Sequence, residues 1–114
     1  MTIYRNKMET VSKDKLRGGK GSTEITHCLE YEKIKHITLM AEMTLEPGCS
    51  IGDHRHDNET EYYLILKGNG KVNDNGVEVI VNPGDVVVTV SGEHHCIENT
   101  GSVTLVFYAI IVKD

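Results

Sequence analysis

Cysteine is scarce in this chain and badly arranged for structural use. Cys28, Cys49 and Cys96 are odd in number and form no Cys-x-x-Cys pair, which argues against a disulfide framework or a zinc ribbon and for free thiols. Dense runs of Lys or Arg are missing and the net charge is −5, so neither nucleic acid nor an anionic membrane is an expected partner. No apolar run approaches the length of a membrane span. Arg5, Lys7 and Glu9 interrupt the first residues, so no secretory leader is expected and the cytoplasm is the expected address. Without a leader, the sequon Asn58-Glu59-Thr60 reads as coincidence. A convincing amphipathic helix and an internal repeat are also lacking.

What the chain does have is a balanced composition, 39% hydrophobic and 25% charged over 114 residues, enough for one independent core. Short β-branched segments recur between turn signals, the pattern of an all-β barrel or sandwich. Along residues 36–46, Ile37, Leu39, Ala41, Met43 and Leu45 share one face, with Thr38, Glu42, Thr44 and Glu46 on the other, broken only by Met40. Further strands are expected at 61–67, 71–73, 77–81, 86–90 and 103–112. Asp74-Asn75-Gly76 provides hairpin chemistry, and Asn82-Pro83-Gly84-Asp85 has the Pro-Gly centre of a type II turn. Residues 86–90 and 103–112 are apolar on both faces, as strands covered on both sides are. The doubly apolar 103–112 strand and a detached N-terminal segment together predict a homodimer. The first 22 residues, with the polar Arg17-Gly18-Gly19-Lys20-Gly21 run, read as an arm and loop preceding a barrel over 23–114.

One cluster of residue types carries chemistry. His54 and His56 lie two apart, so on a strand both imidazoles point the same way and can reach one ion. Glu61 follows after 57–60, a segment of turn formers that can return the chain as an adjacent strand. Two imidazoles and a carboxylate held together without an ion would be an unpaired polar cluster. A fourth ligand must come from another strand, where His94 and His95 face opposite ways. His27 and His36 are isolated and read as ordinary hydrogen-bonded or surface residues. Arg55, between the two histidines, points away from them by parity.

The spacing Gly48-(five)-His54-Arg55-His56-(four)-Glu61-(six)-Gly68 resembles the first cupin motif. Gly84-(five)-Val90-Ser91-Gly92-(two)-His95-(three)-Asn99 resembles the second, with Val90 where the family usually has Pro. The resemblance spans about residues 40–112, and the chain looks like the small single-domain bacterial cupins, which are similar to the oxalate decarboxylase branch. It implies a double-stranded β-helix, or jelly roll, often dimeric. It also implies a metal site of His54, His56, Glu61 and His95, since the spacings to Gly92 and Asn99 choose His95 and leave His94 at the rim.

Three neutral imidazoles and one carboxylate suit one divalent ion per chain, Mn2+ or Fe2+ first and Zn2+ or Ni2+ as alternatives. Such an ion would take a small carboxylate such as oxalate, a 2-oxo acid, or a sugar-derived enediolate. Tyr63 shares the face of Glu61, and Glu59 lies close to it in sequence. These two are the candidate catalytic residues of a decarboxylase, dioxygenase or isomerase. The alternative is a metal-bearing module that binds a small anion or sugar without turnover.

Overall fold

A computed structural model describes residues 1–29 and 34–114. Among these described residues the strands follow in order: β1 (Glu9–Asp14), β2 (Ser22–His27), β3 (Ile37–Leu45), β4 (Ser50–Arg55), β5 (Glu59–Lys67), β6 (Gly70–Asp74), β7 (Val77–Val81), β8 (Val86–Thr89), β9 (His94–Glu98) and β10 (Leu105–Lys113). They form two antiparallel sheets, ordered β1-β2-β3-β10-β5-β8 and β4-β9-β6-β7. Strand neighbours far apart in sequence mark the jelly roll.

Alternation decides which side chains enter the core. On β3, Ala41, Met43 and Leu45 are buried; on β10, Leu105, Phe107 and Ala109; on β5, Glu61, Tyr63 and Ile65. Ala109 pairs with Ala41 on one side and Tyr63 on the other. Two methyl side chains thereby leave room for the phenol ring, which packs on Phe107 with centroids 4.7 Å apart. Asn99 is a structural clamp, its amide donating to the carbonyls of Leu45 and Val103 at 2.8 Å each. Gly84 has φ +95, which the type II turn requires and a side-chain-bearing residue would resist.

Three sequence expectations change in detail. Residues 9–14 do not stand apart from the sheets: β1 pairs with β2 from Glu9↔His27 to Asp14↔Ser22 and forms an edge of the larger sheet. The Gly-rich loop is also docked. Lys20 N–H donates to Ser50 Oγ, and Ser50 N–H to the Lys20 carbonyl. Gly19 and Gly52 let the loop backbone press on β4, where a Cβ on either would overlap a carbonyl oxygen of the other segment. Finally, β8 is covered on one side alone within the chain. Val87 and Thr89 are buried, whereas Val86 and Val88 are exposed, because β8 is the outermost strand and none of the described residues forms a second layer over it. All three cysteines are free thiols.

Candidate metal centre

The site forms where one end of each sheet meets. His54 lies near the end of β4, opposite His95 on β9, and His56 follows directly after β4. The chain turns through Asn58, whose φ of +61 is a left-handed position that Asn tolerates better than most residues. It returns as β5 of the other sheet, carrying Glu61 inward opposite Thr89 on β8. The odd offset between His56 and Glu61 is absorbed in that bend. Among the described residues, His54, His56, Glu61 and His95 are the group whose donor atoms gather, all within 4.8 Å of one another.

Their contacts are close. His56 Nε2 and His95 Nε2 are 3.0 Å apart, and His95 Nε2 and His54 Nε2 are 3.1 Å apart. Glu61 Oε1 lies 2.9 Å from the Nε2 atoms of both His56 and His95, and 3.8 Å from that of His54. The opposite ring nitrogens are already engaged. His54 Nδ1 is 2.8 Å from the Gly52 carbonyl, which can only accept, so this nitrogen carries the hydrogen. His56 Nδ1 is 2.6 Å from Glu59 Oε2, again an acceptor. His95 Nδ1 is 2.8 Å from the Thr89 hydroxyl. In their neutral forms the His54 and His56 rings are then left with Nε2 lone pairs facing His95 Nε2, while the Thr89 hydroxyl can serve His95 Nδ1 as donor or acceptor. Glu61 Oε1 has no hydrogen-bond partner although it is buried.

That arrangement is repulsive unless positive charge sits at its centre, and the donor set fits a divalent ion. Burial pushes the Glu61 carboxyl up, but the imidazoles of His54 and His95 at its oxygens, and the charge His95 and His56 can carry, outweigh it and hold it at about 2. Burial pushes the His95 imidazole below its usual value, against the pull of Glu61. At neutral pH the set is therefore one carboxylate with His95 neutral, the forms that ligate a metal.

Tyr63 lies beside this group, its ring stacked on His95 at 4.7 Å and its hydroxyl 3.4 Å from His95 Nε2. Burial first, then the Glu61 charge, raises its pKa well above the phenol value, with Arg17 opposing, so it stays protonated. Glu59 begins β5 instead of lying in the bend, and its carboxylate is committed to His56. Arg55 points outward to Asp57 at 2.8 Å, and His94 sits at the rim against Asp53 at 2.9 Å.

A cavity of about 170 Å³ opens on the ligands, walled by apolar side chains such as Met43 and Ile51. His27, expected to be an ordinary surface or hydrogen-bonded residue, lines it, because β2 runs along the barrel wall. Sequence reading missed Thr89, the Gly52 carbonyl and Arg17. Thr89 lies opposite Glu61 only through strand register, and a carbonyl leaves no signal in residue type.

Residues 41–111 match the family model described as the cupin domain, and the chain belongs to the cupin family. It is 48% identical over 98 residues, 85% of this chain and 81% of the other, to an oxalate-binding protein of Thermotoga maritima. A crystal structure from the same organism, described as a predicted oxalate decarboxylase, superimposes over 100% of both chains with TM-score 0.91 and 40% identity. The fold also matches a cupin sugar phosphate isomerase of Silicibacter pomeroyi, with TM-score 0.81 over 100% of this chain and 76% of that one, at 15% identity.

Proposed function

We propose that the chain binds one divalent metal ion through His54, His56, Glu61 and His95 and uses it to hold a small chelating carboxylate of the oxalate type. The observation that carries this is the gathering of three imidazole Nε2 atoms around the buried, partnerless Glu61 Oε1, each ring held from behind by an acceptor or hydroxyl. Donor atoms 2.9 to 3.8 Å apart are close enough for one ion to reach all four. The mixed imidazole and carboxylate set suits Mn2+ or Fe2+, with Zn2+ or Ni2+ as alternatives. A bound ion of that kind supplies Lewis acidity and adjacent coordination positions for two ligand oxygens.

The chain's own residues do the rest. Glu61 offsets one charge of the ion, and Glu59 and Thr89 hold two of the rings in the ligating orientation. Met43 and Ile51 keep bulk water off the ligand. Tyr63 offers a hydroxyl proton beside the site. The cavity of about 170 Å³ holds a ligand of few heavy atoms, well under the roughly 300 Å³ at which drug-sized sites begin. The oxalate-binding relative supports the same ligand class.

Turnover of that ligand is the second reading, favoured by the protonated Tyr63 phenol within 3.4 Å of a ligand imidazole. Release of CO2 and formate from oxalate would establish it. For binding, oxalate at a hundredfold excess over Kd should stabilise the metal-loaded chain by about 2.7 kcal/mol. His56→Ala should lose both the metal, by elemental analysis, and the response to oxalate. Equal stabilisation of the metal-free variant would sink the assignment.

A further inference from the structure

We propose that Arg17 is the cation that receives the uncoordinated carboxylate oxygens of the chelated ligand and so selects a dianion over a monoanion. The proposal rests on the metal-chelate reading above and names the residue that would give it charge specificity.

Arg17 lines the same cavity as His54, His56, Glu61 and Tyr63, and it is the one permanent cation among the described residues that do so. The other two arginines are committed elsewhere, Arg5 to Glu42 at 3.0 Å and Arg55 to Asp57 at 2.8 Å. Among the described residues the Arg17 guanidinium has no hydrogen-bond or ion-pair partner. An unpaired guanidinium at the mouth of an apolar cavity with a metal-type site inside is placed to meet an anion.

Its backbone is held there against local preference. Arg17 has φ +54 and ψ +29, a left-handed conformation disfavoured for a residue with a side chain. The turn around it is tied by Gly18 N–H to the Lys15 carbonyl, Gly19 N–H to the Leu16 carbonyl and Lys15 N–H to the Gly21 carbonyl. Close backbone packing of Gly19 on Gly52 fixes this turn against β4, the strand that carries His54. A cation and a metal ligand are thus set on two segments in direct backbone contact.

Charge balance gives the arrangement a reason. Among the groups that line the cavity, which Glu59 does not, a divalent ion less the Glu61 carboxylate leaves one positive charge, and a bound oxalate dianion turns that into one negative charge. Between apolar walls an uncompensated charge is costly, and Arg17 closes the balance to zero. A monoanionic chelator reaches neutrality without Arg17.

The test is calorimetric titration of the Mn2+-loaded full chain with oxalate and with glycolate at neutral pH. Arg17→Gln should weaken oxalate binding roughly 10- to 100-fold and change glycolate binding less than about threefold, with Mn2+ content unaltered. Arg17→Gly suits the left-handed backbone, so it should keep the melting temperature of the parent while losing oxalate to the same extent. Unchanged oxalate affinity in Arg17→Gln would overturn the proposal, as would equal losses for both ligands or a fall in Mn2+ content. If the unsubstituted metal-loaded chain ignores oxalate, the chelate reading itself fails and takes the role of Arg17 with it.

Discussion

Replacing Glu59 with alanine separates the two roles this residue could have, acid–base group or support for His56. The His56 ring is 2% exposed, and its Nδ1–H has the Glu59 carboxylate at 2.6 Å as acceptor. Alanine leaves that buried donor unsatisfied, a loss of about 1–3 kcal/mol. Glu59 itself is 27% exposed, so a water molecule can partly replace it, and the lower half of that range applies. The freed ring can also turn or change tautomer, withdrawing the Nε2 lone pair from the cluster. Support of this kind is typically worth 10- to 100-fold in metal affinity, or about 1.4–2.8 kcal/mol, in agreement with the hydrogen-bond figure. Glu59→Gln retains an acceptor oxygen and should recover most of the affinity. The assay is competition for Mn2+ against a chelator of known affinity, with melting temperature followed in parallel. If Glu59→Ala binds metal as tightly as the parent, the hydrogen bond does not orient His56 and the argument fails.

Acidification should destabilise the metal-free chain in two stages. His95, held below its usual value of 6.5 mainly by burial, binds a proton more readily when unfolded, so its contribution is present above about pH 6.5 and is lost below it. Glu61, at about 2 against 4.5 unfolded, adds a second loss between those values. The gain in melting temperature on adding Mn2+ should shrink over the first stage, and a gain that grows on acidification would contradict the ligand set. Gly52→Ala should cost about 1–3 kcal/mol, because a Cβ there overlaps the Arg17 carbonyl. Thermal unfolding would show it, and an unchanged melting temperature would mean the loop is not docked in solution. The exposed Leu66, Val86 and Val88 on the outer face of adjacent strands lead us to expect a homodimer. Light scattering at micromolar concentration should give twice 12.7 kDa, and the monomer mass would refute this.

Local pattern carried much of this protein. Parity along 37–45 put Ala41, Met43 and Leu45 inside, since the two-residue period of a strand is a property of the backbone alone. The turn at Asn82–Asp85 was legible for a similar reason, because Pro and Gly constrain φ wherever they occur. The spacing of His54, His56, Glu61 and His95 within two motifs was enough to assemble the four donors, and the cupin fold follows from the same residues.

Tertiary structure decided what depends on partners distant in sequence. Glu59 looked like a loop acid, yet the bend at Asn58 starts β5 early and turns its carboxylate onto His56. Thr89 supports His95 because β8 pairs with β5 in one register out of several that its valines would allow. Strand β1 joins the sheet through a hairpin whose alternation is too weak to read. Arg17 reaches the cavity through the packing of one loop on β4, a contact between residues more than thirty positions apart. Periodicity and turn chemistry follow from short-range sterics that each residue carries with it, whereas register, closure and charge placement are set by which distant surfaces meet.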